Sequence, residues 1–227
     1  MRTTFASAAL ASLALVRAEY ETISAMRNGV ESFDLFYKPQ SWGSDDVDNL
    51  GNGIAVGMNS NVFIHDYPYD GQYWAYKPAL RGGSIEYDVD LSDFDCGCVA
   101  GLYMVKMDDE SCSEGAKTGT PQCPHIDIMQ ANPWGFNASA HPCANGQCDG
   151  QSQCFYNMAV EGMEKYGSGQ YGPGGAIIDT NKPFHVWTEF LSKNQYQELW
   201  GLRTHLSQDG RALQMEADCG EYMSGLA

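Results

Sequence analysis

The 227-residue chain carries 29 acidic and 13 basic residues, for a formal net charge of -16, and is 43% hydrophobic. So acidic a surface repels phosphate backbones and argues against nucleic acid as a partner, whereas a neutral polymer meets no such repulsion. The same charge also keeps a secreted protein soluble, so it assigns no function by itself.

Met1 to Ala18 has Arg2, an apolar run from Phe5 to Val16 and small residues about the end, the pattern of a secretory signal. The run is shorter than the roughly 20 apolar residues of a spanning helix. The expectation is therefore a signal peptide over 1–18 and a single secreted, extracellular, monomeric domain over 19–227, with no membrane partner. All eight cysteines lie at or after Cys96, and an even count behind a signal implies disulfides. Eight cysteines allow about 105 pairings, and the sequence does not choose among them.

Glu19 to Tyr37 is mixed in pattern, and Ser41 to Gly53, rich in Gly, Asp, Asn and Ser, reads as a loop. Ile54 to Met58 and Val62 to His65 are short apolar pieces. Ser84 to Leu91 alternates, with Ile85, Tyr87, Val89 and Leu91 on one face and Glu86, Asp88 and Asp90 on the other. Val99 to Met107 is nearly continuous and apolar, as for a strand covered on both sides. A loop from Asp108 leads to an extended segment between Cys123 and Cys143. Cys143 to Gly175 is loop-like, with a weak helical stretch at Phe155 to Lys165 that Gly162 interrupts. Ala176 to Asp179, Phe184 to Leu191 and Leu199 to Ser207 return to strands, and Gln208-Asp209-Gly210-Arg211 marks a tight hairpin into Ala212 to Ala217. Short strands at close spacing with few helices predict an all-β sandwich.

The segment Cys123-Pro-His-Ile-Asp-Ile-Met-Gln-Ala-Asn-Pro-Trp-Gly-Phe-Asn-Ala-Ser-Ala-His-Pro-Cys143 places polar groups at strand spacing. It resembles the signature of glycoside hydrolase family 7, the cellobiohydrolases and endoglucanases, which runs Glu-x-Asp-x-x-Glu-Ala-Asn and on to His-Pro-Cys. Glu86-Tyr-Asp-Val-Asp-Leu-Ser-Asp-Phe-Asp-Cys-Gly, Gly101-Leu-Tyr-Met-Val-Lys-Met-Asp108, Tyr171-Gly-Pro-Gly and Phe184-His-Val-Trp-Thr-Glu-Phe190 resemble its flanking segments in the same order. The resemblance covers Gly82 to Phe190 and implies a concanavalin-like jelly roll of two curved antiparallel sheets, disulfide-bonded, with a cleft for β-1,4-glucan. The Cys-rich start of family members is absent, the loop before the signature is short, and the chain stops at Ala227. The expected cleft is shallow and open at its ends, in either a minimal or a C-terminally truncated member.

By this resemblance the catalytic positions are His125 for the nucleophile, Asp127 for its supporting acid and Gln130 for the acid/base, so only Asp127 is retained. Tyr103 and His141 match positions that contact substrate. Trp134 matches no particular family residue, but an indole beside the cleft is suited to stacking on a sugar ring. A regular strand turns residue i+5 away from residues i and i+2, so a β-bulge between Asp127 and Gln130 is expected to return Gln130 to the cleft face. An amide cannot supply the acid's proton, and loss of general-acid help typically costs about 10² to 10⁴ in rate. Asp127 is expected to raise the His125 pKa through a charge-assisted pair, or else both are ordinary polar residues of the cleft. A metal site of His125, Asp127 and His141 is set aside for want of an evident fourth ligand, and no cofactor is expected. Asn137-Ala138-Ser139 fits a glycosylation acceptor. Three functions compete: a glucan binder that has lost hydrolysis, a working β-1,4-glucanase using other carboxylates such as Asp108, Asp109, Glu161 or Glu164, and a structural extracellular wall protein.

Overall fold

The computed structural model of the chain describes residues 21–27, 31–39, 47–50, 53–57, 62–65, 82–94, 97–106, 123–144, 147–148, 152, 154–158, 162–193, 199–220 and 222–223. The expected signal over 1–18 lies outside them, as do Asp108, Asp109 and Glu161. The chain divides into two compact units, Met1–Pro78 and Ala79–Ala227. In the first unit, β1 (Glu21–Arg27), β2 (Glu31–Pro39) and β5 (Val62–His65) form an antiparallel sheet in the order β1-β2-β5, and β3 (Val47–Asn49) pairs with β4 (Ile54–Val56). Two of these strands fall where the sequence pattern was mixed, and β3 falls inside the stretch read as a loop. Local composition gave way there to strand pairing.

The second unit is built on two four-stranded antiparallel sheets. One has the order β12-β9-β8-β7, from β7 (Ala100–Val105), β8 (His125–Asn132), β9 (Gly135–His141) and β12 (Cys154–Asn157). The other has the order β17-β16-β15-β6, from β6 (Ser84–Val89), β15 (Phe184–Ser192), β16 (Leu199–Gln208) and β17 (Arg211–Asp218). Two-stranded pieces, β10 (Cys143–Ala144) with β11 (Gln147–Cys148) and β13 (Tyr171–Gly172) with β14 (Ile178–Asp179), lie in the connections. The weak helical stretch resolves into strand β12 and a four-residue helix, α1 (Met163–Tyr166).

Alternation builds the sandwich. In β15, Phe184, Val186, Thr188 and Phe190 point inward while His185, Trp187 and Glu189 point outward. Ile85, Tyr87 and Val89 pack on the same core, as the alternation of β6 predicts. Facing them from the first sheet are Ile126, Ile128, Phe136, Ala138 and Ala140, each at most 4% exposed. Burial of a side chain such as Phe136, Phe190 or Leu206 contributes roughly 1.5 to 3 kcal/mol. β7 is half-buried along most of its length, because it is the outer strand of its described sheet rather than one covered on both sides.

Two further links hold the sheets together. The Cys154–Cys219 disulfide ties β12 to the end of β17 across 65 residues of sequence. Nearer the centre, the Tyr156 hydroxyl of β12 donates to Thr204 Oγ1 of β16, which lies 2.7 Å from Thr188 Oγ1 of β15. The β16–β17 hairpin turns on Asp209 and Gly210, with φ of 50° and 76° and Gln208 paired to Arg211. This is the two-residue primed turn that the Asp-Gly pair predicts.

Candidate functional site

The β8–β9 hairpin builds the site. A two-residue turn at Pro133–Trp134 starts the pairing at Asn132↔Gly135, and it runs regularly to Gln130↔Asn137. It then resumes at Asp127↔Ser139 and His125↔His141, with one more residue on β8 than on β9 in the interval. β7 sees the same step, pairing Leu102 to Met129 and Tyr103 to Asp127. This is the β-bulge expected from the sequence, and it returns Gln130 to the face of Asp127. Without it, His125 would fall opposite Pro142 instead of His141.

Asp127 is the hub of this face. It is 1% exposed, and its Oδ2 accepts from Gln130 Nε2 at 2.8 Å and from Ser139 Oγ at 2.8 Å. His141 Nε2 lies 3.1 Å from the same oxygen and 3.1 Å from Ser139 Oγ. Asp127 Oδ1 is buried without a hydrogen-bond partner, and its neighbour His125 Nε2 stands 3.8 Å away. The His125 and His141 rings stack, with centroids 4.4 Å apart and planes within 11°. His125 Nδ1 lies 2.8 Å from the Cys123 carbonyl, which can only accept, so Nδ1 carries the hydrogen and the neutral ring keeps its lone pair on Nε2.

Electrostatics bear out the sign of the Asp127 effect on His125 but not its outcome. The His125 pKa is lowered from its usual 6.5, not raised. Burial is the largest cause and His141 lowers it further, while the Cys123 carbonyl and the Asp127 charge oppose them. The cost of protonating a buried ring outweighs its attraction to a carboxylate that is not in hydrogen-bond contact.

Tyr103 lies opposite Asp127 on β7, and its ring covers Gly101, where a Cβ would collide with it. Glycine at this position, the partner of Gln130, is what leaves room for the ring. Trp134 is 52% exposed at the hairpin turn. At about 3.3 Å per residue it stands roughly 20 Å along the strand from Asp127, so it lies outside the cluster. Ser139 went unremarked as a site residue, although its place two residues before His141 puts it on the same face. Phe155, 48% exposed, was also unremarked, and pairs opposite Ser139 on the outward face of β12. The Asn137 acceptor pattern lies within β9, with its Ser139 buried on Asp127.

The family model described as glycosyl hydrolase family 7 matches residues 110–225. The chain belongs to glycoside hydrolase family 7. Similar curated proteins include endoglucanase EG-1 of Hypocrea jecorina, 29% identical over 153 residues that cover 55% of this chain and 32% of that protein. A probable endo-beta-1,4-glucanase, celB of Neosartorya fischeri, is 27% identical over 180 residues, covering 60% of this chain and 43% of the relative. The family 7 chain described here thus spans about a third to two-fifths of the curated relatives it matches. In fold it is similar to a family 7 cellobiohydrolase from Daphnia pulex, with a TM-score of 0.63 at 16% identity over 86% of this chain and 70% of that one. The Humicola insolens endocellulase EGI gives a TM-score of 0.60 at 17% identity over 86% and 71%. The jelly-roll β-sandwich expected from the sequence is the fold of these relatives.

Proposed function

We propose that this family 7 chain is a secreted protein that recognises β-1,4-glucan on a cellulase scaffold and has lost retaining hydrolysis. One observation carries the reading: among the described residues, the four strands β7, β8, β9 and β12 hold a single carboxylate, Asp127. Retaining hydrolysis needs two carboxyl groups about 5 to 5.5 Å apart, one to attack the anomeric carbon and one to protonate the leaving oxygen. Gln130 stands at the acid/base position as a hydrogen-bond donor to Asp127, and an amide gives up no proton near neutral pH. His125, in the nucleophile's place, is buried and held toward its neutral form. Glu164, one of the substitute carboxylates considered above, lies on α1, whose Lys165 and Tyr166 bond to the Gln214 carbonyl of β17, and not on any of these four strands.

Glucan recognition in this reading rests on the outward face of the sheet, where Tyr103, Gln130 and the exposed Phe155 offer ring faces and an amide. The leader-like pattern over 1–18 supports secretion. The test is sedimentation with swollen cellulose together with hydrolysis of an aryl β-cellobioside, for the wild type and for the double variant His125→Glu, Gln130→Glu. Binding without turnover in the wild type, and turnover gained by the double variant, is the expected result. Wild-type turnover at enzyme-like rates overturns the loss of hydrolysis, and failure to sediment with cellulose overturns glucan recognition.

A further inference from the structure

We propose that His125, Asp127 and His141 form a binding site for one divalent transition-metal ion, with His125 Nε2, Asp127 Oδ1 and His141 Nε2 as ligands. The donor atoms of the three residues lie within 4.8 Å of one another and all three residues are buried. Two imidazoles and one carboxylate, with a position left for water or an added ligand, are a donor set that zinc and ferrous iron accept. This reverses the expectation read from the sequence, because the pairing of His125 with His141 depends on the bulge.

Two of the three ligands are already held from behind. His125 donates from Nδ1 to the Cys123 carbonyl, which turns the Nε2 lone pair toward Asp127. That carboxylate is fixed through Oδ2 by Gln130 and Ser139, while its buried Oδ1 accepts from nothing. Two acceptors, Nε2 and Oδ1, therefore face each other at 3.8 Å, an arrangement that a shared cation resolves. Hydrogen bonds from outside the ligand set are the support that metal-binding histidines and carboxylates ordinarily have. Metal–ligand bonds of about 2.0 to 2.2 Å bring tetrahedral donors to roughly 3.3 Å from each other, so on binding the cluster closes by about an ångström and the stacked rings splay until both Nε2 lone pairs point at the ion. His141 Nε2, now on Asp127 Oδ2, turns to the ion, and the neutral ring then carries its hydrogen on Nδ1 so that the Nε2 lone pair is free to ligate. The side chains are 8% exposed for His125 and 11% for His141.

The inference does not depend on glucan binding, and its test uses metal alone. The full secreted chain is stripped with chelator, dialysed against zinc at equilibrium, and separately titrated with cobalt(II) for its visible spectrum. One zinc per chain is expected, with a cobalt spectrum of nitrogen and oxygen ligation and no thiolate charge-transfer band. His125→Gln and Asp127→Asn should each weaken binding about 100-fold or more. Ser139→Ala should weaken it about 10- to 100-fold through Asp127. His185→Gln, which alters an exposed histidine beside Asp88, should leave it unchanged. The cobalt spectrum is read on the wild type, so it decides even if a variant fails to fold. No stoichiometric zinc on the wild type, a thiolate band, or zinc retained by His125→Gln overturns the site.

Discussion

The two sheets of the second unit are made from the same kind of strand and differ in where the register slips: at the end of β15 in one, in the middle of β8 in the other. In the sheet of β6, β15, β16 and β17, pairing is regular from Phe184 to Leu191, and every inward side chain from Val186 to Phe190 is apolar or threonine. In the other sheet, β8 slips by one residue between Asp127 and Gln130, and five successive residues from His125 to Met129 are buried whatever their polarity. A regular sheet separates polar from apolar by alternation. The bulge suspends that rule over a few residues, and this is what allows a carboxylate and two imidazoles to be buried together on the face away from the core.

The contrast can be broken from either side. The largest effect is expected in the regular sheet, where Phe190→Ala should cost about 3 to 5 kcal/mol in denaturant unfolding. A smaller cost there would mean that the second sheet alone carries the core. Opening the covalent tie comes next: Cys154→Ser with Cys219→Ser should cost about 2 to 5 kcal/mol, read as a lowered Tm. At the bulge, Asp127→Ala leaves Gln130, Ser139 and His141 short of their shared acceptor and should cost about 1 to 3 kcal/mol. If it stabilises the fold instead, the buried carboxylate is a burden that the hydrogen bonds do not offset.

A pH dependence sharpens the same comparison. Because the folded-state pKa of His125 is lowered from 6.5, the fold favours the neutral ring. Its contribution is full above about pH 6.5 and is lost as the pH falls through the folded value. Urea midpoints of the chelated chain taken from pH 7.5 downward should therefore fall below about 6.5, and His125→Gln should flatten that slope. Least affected should be the outward face of the regular sheet, where His185→Gln removes a pair with the 78% exposed Asp88 and should change stability by less than about 0.5 kcal/mol.

Much of this was legible in the sequence. The alternation of β6 and β15, the Asp209-Gly210 turn and the bulge in the signature follow from local spacing, because strand periodicity and turn chemistry act over a few residues. What escaped needed partners distant in the chain. The β1–β2 pair sits in a mixed pattern, and its one local cue is the Asn28-Gly29 hairpin signal between the two strands. β12 read as part of a loop because its four residues gain their strand character by lying along β9. The stacking of His125 on His141 follows from a two-residue turn combined with one bulge, and either feature alone leaves them apart.

The hydroxyl chain from Tyr156 through Thr204 to Thr188 bears on how the two layers resist shear. Apolar contacts between sheets resist a lateral slide through interdigitation but have no fixed direction of their own. Hydrogen bonds are short and directional, and a slide of an ångström or two strands all three oxygens in an apolar interior. The trio therefore acts as a dowel that fixes the alignment of the layers, and with it the position of the polar cluster on the outward face of β8.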